Sequence, residues 1–322
     1  MARERRQRAS GEGRAGAKGD DRGSLYQEVT DRIVAELEAG RVPWVQPWGS
    51  ATAGLGLPKN AATGRHYSGI NILILWGAVI DKAYPCQHWL TFRQALGLGG
   101  AVRKGERGTT VVYADRFIPE DERERARRDG NEPESVPFLK RFAVFNVAQC
   151  EGLPESAFPP VVPLAPTVKH DSIPRAEALI AATGADVLIR GDRAMYSPGL
   201  DCIQVPPLAA FIDTTDYYAT TLHELAHWTG HASRLNRDQS GRFGTHPYAR
   251  EELVAEMASA FVCASLEIVP TVRHADYIGN WLTVLREDNR AIFRAASQAS
   301  KASDFILAFD NDAQPAREQA VA

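Results

Sequence analysis

The feature that most constrains this chain is the run His223-Glu224-Leu225-Ala226-His227, reading HELAH. On a helix, residues four apart share a face, so His223 and His227 present two imidazoles to one divalent ion. Glu224, next to the first histidine, is placed to act as general base on a metal-activated water. The residues from Asp216 to Leu222 suit a helix, and Gly230 suits its end. The competing reading is an ordinary amphipathic helix that carries two histidines.

A catalytic zinc usually keeps three protein ligands and an open position. A second helical pattern, Tyr248 to Phe261, carries Glu251, Glu252 and Glu256. Glu252 and Glu256 are four apart, while Leu253, Met257 and Phe261 form a separate apolar stripe. Glu252 is the expected third ligand, with Glu256 orienting a ligand histidine; the reverse assignment is the alternative. A solvated acidic face is the bland one. His231 falls four residues after His227, too early for the third histidine of a metzincin. It is read either as a substrate or oxyanion contact or as a structural histidine. His246 and Tyr248 are expected in a loop between the two helices, with Tyr248 a second candidate substrate contact. Two histidines and a carboxylate suit Zn2+ best, with Mn2+ as the alternative.

The 322 residues allow two domains. A net charge of -3 means that any nucleic-acid role rests on a local patch. Cys86, Cys150, Cys202 and Cys263 are scattered without a CxxC pair and read as reduced, mostly buried thiols of a cytoplasmic protein. No apolar run has the length of a membrane span, and the Arg-rich N-terminus lacks a signal peptide's apolar stretch, so no membrane partner is expected.

The expected architecture is α+β in two domains. Residues 1–23 read as a disordered basic tail, 24–153 as the first domain, 154–167 as a proline-rich linker, 168–309 as the second domain and 310–322 as a disordered tail. A helix capped by Ser24 should run to Gly40, and others should span Gly69 to Ala83 and start near Thr91. Thr109–Ala114 and Phe138–Val147 read as strands, with the charged stretch 119–133 between them as a solvated hairpin loop. In the second domain a helix from Arg175 to Thr183 and a pair of short strands, Asp186–Arg190 and around Ala194–Tyr196, precede HELAH. An edge strand beside it could take an extended peptide. The segment from Tyr277 to Ala308 reads as helical.

The first domain interleaves aromatic and basic residues. Trp44, Trp48, Lys59, Arg65, Tyr67, Arg93, Arg103, Lys104, Arg107 and Lys140 are its candidate DNA-binding residues. Aromatic faces that stack bases beside cations that follow phosphates suit single-stranded DNA. The sharpest piece is Gly99–Gly108, a glycine-punctuated turn with three cations. The plain alternative is core tryptophans and a polar loop.

The whole pattern resembles the ArdC-type antirestriction proteins of conjugative plasmids. In the first domain the likeness is carried by Val42, Pro43, Trp44, Pro47 and Trp48, and by Asn60, Thr63–Arg65, Tyr67 and Gly69–Asn71. It continues in Trp89–Phe92, Gly99–Gly108, Val144–Val147 and Gln149. In the second it is carried by His223–Leu235, Arg242–Gly244 and Tyr248–Glu256. The resemblance covers about residues 24–308 and implies single-stranded-DNA binding by a region shared with plasmid primases, and protection of incoming DNA from restriction. It also implies a zincin-like peptidase half, similar by analogy to Spartan-type proteases that digest DNA-bound proteins. Three readings stay open: a DNA-directed metallopeptidase, a non-enzymatic binder with a structural or regulatory metal, and a peptidase with a protein partner and no DNA contact.

Overall fold

Helix α1 (Asp20–Glu38) places Leu25, Ile33 and Leu37 in the core, with Val29 packed against it. It begins one turn before Ser24, which therefore does not cap it. Gly40, at φ 73°, ends the helix, and the Arg41 amide donates to the Glu36 carbonyl at 2.9 Å, a Schellman closure. The computed structural model describes residues 20–45, 56–158, 172–242, 244–269 and 278–310. Trp48, the proline-rich stretch from 159 onward, and the outer parts of both expected tails lie outside these residues.

Helix α2 (Ile70–Asp81) is apolar on all sides and buries eight residues, so it sits centrally. One side meets a four-stranded sheet. The strands of this region are β1 (Lys59–Asn60), β2 (His88–Thr91), β3 (Ala101–Val102), β4 (Thr109–Phe117), β5 (Val136–Asn146) and β6 (Cys150–Glu151). The sheet order is β1-β2-β5-β4, with β1 and β2 parallel and the rest antiparallel; β3 and β6 form a separate ribbon. The Asn71 side chain ties α2 to β4 by exchanging two 2.8 Å hydrogen bonds with the Val112 backbone. Helix α3 (Phe92–Gly97) follows β2 behind a Thr91–Gln94 capping box.

The stretch expected as a solvated hairpin loop is helix α4 (Glu120–Asp129). It does join a hairpin, since Phe117 pairs with Val136. Its helicity comes from acids in the first turn, arginines in the last, ion pairs such as Glu122–Arg125 at 3.3 Å, and Gly130 in the left-handed conformation. Only Ala126 is buried, so no apolar period announced it.

The C-terminal region holds α5 (Pro174–Ala182) and a sheet of order β7-β9-β8, built from β7 (Asp186–Ile189), β8 (Met195–Ser197) and β9 (Cys202–Val205). Then come α6 (Thr214–Thr229), α7 (His246–Ser265), α8 (Ile278–Glu287) and α9 (Ala291–Leu307). The architecture is α+β, as expected. One apolar core runs through both regions: Trp44 meets Trp281 edge-to-face at 5.5 Å, and Trp76 meets Phe261 at 5.6 Å. The Gly69 amide also donates to the Ser300 hydroxyl of α9 at 2.7 Å. All four cysteines are buried free thiols. Among the described residues no helix is long and apolar enough to cross a membrane.

Candidate metal centre

Helix α6 starts where the Asp213 side chain accepts from the Asp216 amide at 3.0 Å. The helix is buried along most of its length. Thr220 and Thr221 satisfy their hydroxyls on the carbonyls of Asp216 and Tyr217 at 2.5 and 2.8 Å. His223 and His227 project from one face, their Nε2 atoms 3.1 Å apart. Helix α7 crosses α6, pinned by the Ser259 hydroxyl on the Ala219 carbonyl at 2.8 Å. This crossing brings Glu252 onto both imidazoles: Oε2 lies 3.4 Å from His223 Nε2 and Oε1 lies 3.4 Å from His227 Nε2. Donors at about 2.0–2.1 Å from a tetrahedral zinc stand roughly 3.3 Å from one another. The three donors therefore already have the spacing of a ligand set.

Behind each imidazole stands another carboxylate. Glu256 Oε1 lies 3.7 Å from His223 Nδ1. His227 Nδ1 faces Glu251 Oε1 at 3.2 Å. Such a partner holds the proton on Nδ1 and turns the Nε2 lone pair inward. Glu251 is in turn held by Arg237, through Nη2 to Oε1 at 2.8 Å and Nε to Oε2 at 3.0 Å. Gln239 Nε2 donates to the same Oε1 at 3.1 Å and to the His227 carbonyl at 2.6 Å. Arg237 also donates to the Ala226 carbonyl at 2.7 Å and the Thr229 hydroxyl at 2.8 Å. The loop after HELAH thus satisfies the last carbonyls of α6 and braces its second histidine. Gly230 allows this approach, since a Cβ there would stand 2.5 Å from Gln239 Nε2.

The electrostatics call for a cation. Glu224, Glu251, Glu252 and Glu256 are all buried, and of these Arg237 pairs with Glu251. Burial disfavours protonated histidine, but the carboxylates of Glu251 and Glu252 outweigh it and push His227 up to about 10; His223 is also raised. Against the effect of burial, His227 and Arg237 draw Glu251 down to about 2, and the two histidines hold Glu252 well below the usual carboxylate range. Surplus buried negative charge and converging donors fit a divalent ion.

The other sequence candidates are placed as follows. Glu224 is buried on α6 beside His223. His231 lies past the helix end, outside the three-donor cluster, and its Nδ1 accepts from the Ser233 amide at 3.2 Å. His246 and Tyr248 lie in the first turn of α7 and not in a loop, because Pro247 starts the helix earlier than the apolar pattern does. Tyr248 is half-buried one turn before Glu252, and His246 pairs with Glu287 on the surface. Sequence reasoning missed the roles of Glu251, Arg237 and Gln239, and also Arg234. That guanidinium stacks on Trp228 at 4.0 Å, donates to the Trp228 carbonyl at 2.6 Å and pairs with Asp201 beside β8.

In the first region Trp44 is fully buried against Trp281 and cannot stack a base. Its ring fills the core shared by the two regions. Tyr67 is half-buried against the cluster of Leu75, Val79 and Trp89. Lys59 is half-buried in β1, while Arg65, Arg93, Lys104, Arg107 and Lys140 are exposed. Arg103 is exposed and paired with Glu106 at 2.9 Å. The structure groups Arg103, Lys104 and Arg107 on one turn, and sets the Arg65 turn beside α3 through the Asn60–Gln94 hydrogen bond. Lys140 lies apart, opposite Tyr113 on the β4–β5 hairpin.

Two crossed helices with this donor set define a zincin-like metallopeptidase module, and residues 174–298 match the family model described as zincin-like metallopeptidase. Residues 23–145 match the N-terminal domain of anti-restriction factor ArdC. The fold resembles crystal structures of the antirestriction ArdC protein from the R388 plasmid. For the metal-free form the TM-score is 0.76 at 40% identity, covering 90% of this chain and 99% of that one. For the Mn(II)-bound form it is 0.74 at 39% identity, with the same coverage. The chain is also 40% identical over 295 residues to the uncharacterized protein y4eC of Sinorhizobium fredii (strain NBRC 101917 / NGR234), covering 90% of this chain and 94% of that protein. It is 38% identical over 300 residues to the DNA primase TraC of Escherichia coli, covering 89% of this chain but only 20% of the primase. The chain belongs to the ArdC family of antirestriction proteins.

Proposed function

We propose that this chain is a cytoplasmic antirestriction protein that binds single-stranded DNA through its N-terminal region and carries a metal-dependent peptidase centre in its C-terminal region. The observation that carries the peptidase half is the convergence of His223, His227 and Glu252 within a hydrogen bond's reach of one another. A divalent ion bound there lowers the pKa of a water and polarises a carbonyl. His223 and His227 supply neutral Nε2 donors, fixed from behind by Glu256 and Glu251. Glu224 takes the proton of the attacking water and returns it to the leaving amine. Tyr248, one turn before Glu252 on α7, and His231, just past the end of α6, are the candidate substrate contacts. The donor set favours Zn2+, while the R388 relative is known with Mn(II). The expected peptide substrate is a protein bound to DNA.

The DNA half is supported by the match to the ArdC N-terminal domain and by the likeness to a DNA primase. A non-enzymatic reading is the alternative: the R388 relative is known in this fold both metal-free and Mn(II)-bound, which leaves a structural role for the metal without support. In that reading the metal site is regulatory and DNA coating alone protects.

One paired experiment separates the two. Wild type and Glu224→Ala are compared for binding of single-stranded and duplex DNA and for protection of DNA from a restriction endonuclease. A variant that binds but no longer protects supports metal chemistry in the mechanism. Equal binding and protection leaves protection to binding alone, and absence of binding by either protein sinks the DNA reading.

A further inference from the structure

Among the described residues of the N-terminal region, four large apolar side chains face solvent: Phe92 and Leu96 on α3, and Tyr113 and Phe142 on the β4–β5 hairpin. Phe92 is 52% exposed and Leu96 51%, one helical turn apart. We propose that single-stranded DNA crosses this face of α3, with a base stacked on Phe92 and the backbone followed by Arg93 and Arg65. The proposal rests on the single-stranded-DNA reading above and says where the strand sits.

The platform is built to be rigid. Thr91 Oγ1 accepts from the Gln94 amide at 3.3 Å, and Gln94 Oε1 accepts from the Thr91 amide at 2.9 Å. The Gln94 side chain also bonds Asn60 at 3.1 Å. Asn60 Oδ1 in turn accepts the Ala62 and Thr63 amides at 3.1 and 3.0 Å. The turn that carries Arg65 is thereby locked to the helix that carries Phe92 and Arg93. Such pre-ordering spares the entropy of arranging these groups when a ligand arrives.

Charge chooses between the two exposed surfaces. Residues 57–107 hold Lys59, Arg65, Lys82, Arg93, Arg103, Lys104 and Arg107 against Asp81 and Glu106, the latter paired with Arg103, in a chain of net charge -3. Asp81 is itself paired with Arg32 at 2.5 Å. The hairpin is different. Residues 115–135, at its far end, hold eight Asp and Glu against five Arg, and Tyr113 and Phe142 pack edge-to-face on each other at 6.2 Å. A polyanion is drawn to the first surface and repelled from the second. Every base has a face to stack, but in a duplex both faces are covered by neighbours, so Phe92 selects unpaired bases without reading sequence.

The test uses the full chain and a fluorescein-labelled oligothymidylate, read by anisotropy across a salt series. Phe92→Leu keeps an apolar side chain but loses the ring, and should bind roughly 5- to 100-fold more weakly. Phe92→Trp should restore the affinity. The Arg65→Ala and Arg93→Ala double variant should flatten the salt dependence by about 0.7 per lost contact. Tyr113→Ser with Phe142→Ser should bind as wild type does. If wild type binds and Phe92→Leu binds equally well, or if the loss appears in the hairpin variant, the placement is wrong although the DNA reading stands. If wild type binds no oligonucleotide, both fall. A change of oligomeric state in Phe92→Leu at unaltered DNA affinity would make the occupant a second copy of the chain and would also overturn the proposal.

Discussion

Arg237 closes on both carboxylate oxygens of Glu251, at 2.8 and 3.0 Å, and the pair is almost completely enclosed, with side-chain exposures of 5% and 9%. One Glu251 oxygen also faces His227 Nδ1. The guanidinium therefore acts on the metal centre through a carboxylate and an imidazole, without reaching the ligand-facing nitrogens.

Arg237→Met should weaken divalent-metal binding by about 10- to 100-fold, the usual effect of losing a ligand's outer partner. It should also destabilise the fold, because the buried Glu251 loses its guanidinium and keeps only His227 and Gln239 beside it. Adding Glu251→Leu should recover much of the stability and none of the affinity. Calorimetric metal titration and thermal unfolding of both variants check this; recovery of affinity in the double variant would refute the positioning role.

Gly230→Ala makes a gentler intervention at the same place. At φ −77° the backbone accepts alanine, but the new Cβ would meet Gln239 Nε2 at 2.5 Å and Arg237 Nη2 at 2.9 Å. Both side chains must then move off Glu251 and the end of α6. The expected outcome is a folded protein, by circular dichroism, with weaker metal affinity. Wild-type affinity would show that the brace has slack.

The pH response follows from His227. Its pKa in the folded chain is raised from 6.5 to about 10 by Glu251 and Glu252, despite burial. A raised folded value gives stability that is fully present below about 6.5 and is lost as pH rises towards about 10. Metal-free protein should therefore lose stability across that window. Metal replaces the proton, so affinity should keep climbing with pH, with protons released on binding. Titrations between pH 6 and 9 in two buffers of different ionisation enthalpy measure both; a plateau near pH 7 would contradict the assignment.

Trp44→Ala should behave as a core deletion. The indole is fully buried against Trp281, so truncation should cost about 3–5 kcal/mol. Where the variant remains folded, its affinity for single-stranded DNA should equal that of wild type. Loss of DNA affinity without loss of stability would restore Trp44 to the interface.

The metal helices were legible because their chemistry is local. Two histidines at i,i+4 and a glutamate one turn from another state their own geometry, and the structure brings His223, His227 and Glu252 together. Glu251 was not legible. Its meaning depends on Arg237, which reaches it only after the chain folds back through Gly230, and no helical period predicts a loop's return. Helix α4 escaped for the opposite reason: an almost wholly solvated helix has charge order but no apolar stripe. Trp44 misled because sequence shows that a tryptophan neighbours cations without showing which way it points. Its burial against Trp281 is a contact between residues more than two hundred positions apart.

The central claim is that His223, His227 and Glu252 hold one divalent ion. Its most direct test is calorimetric titration of chelator-stripped protein with Zn2+ and with Mn2+, comparing wild type, Glu252→Gln and Glu256→Gln. The account predicts one ion per chain in wild type, a weaker site in Glu256→Gln, and binding lost or cut by orders of magnitude in Glu252→Gln. Wild-type affinity in Glu252→Gln, with the loss falling on Glu256→Gln, would contradict it.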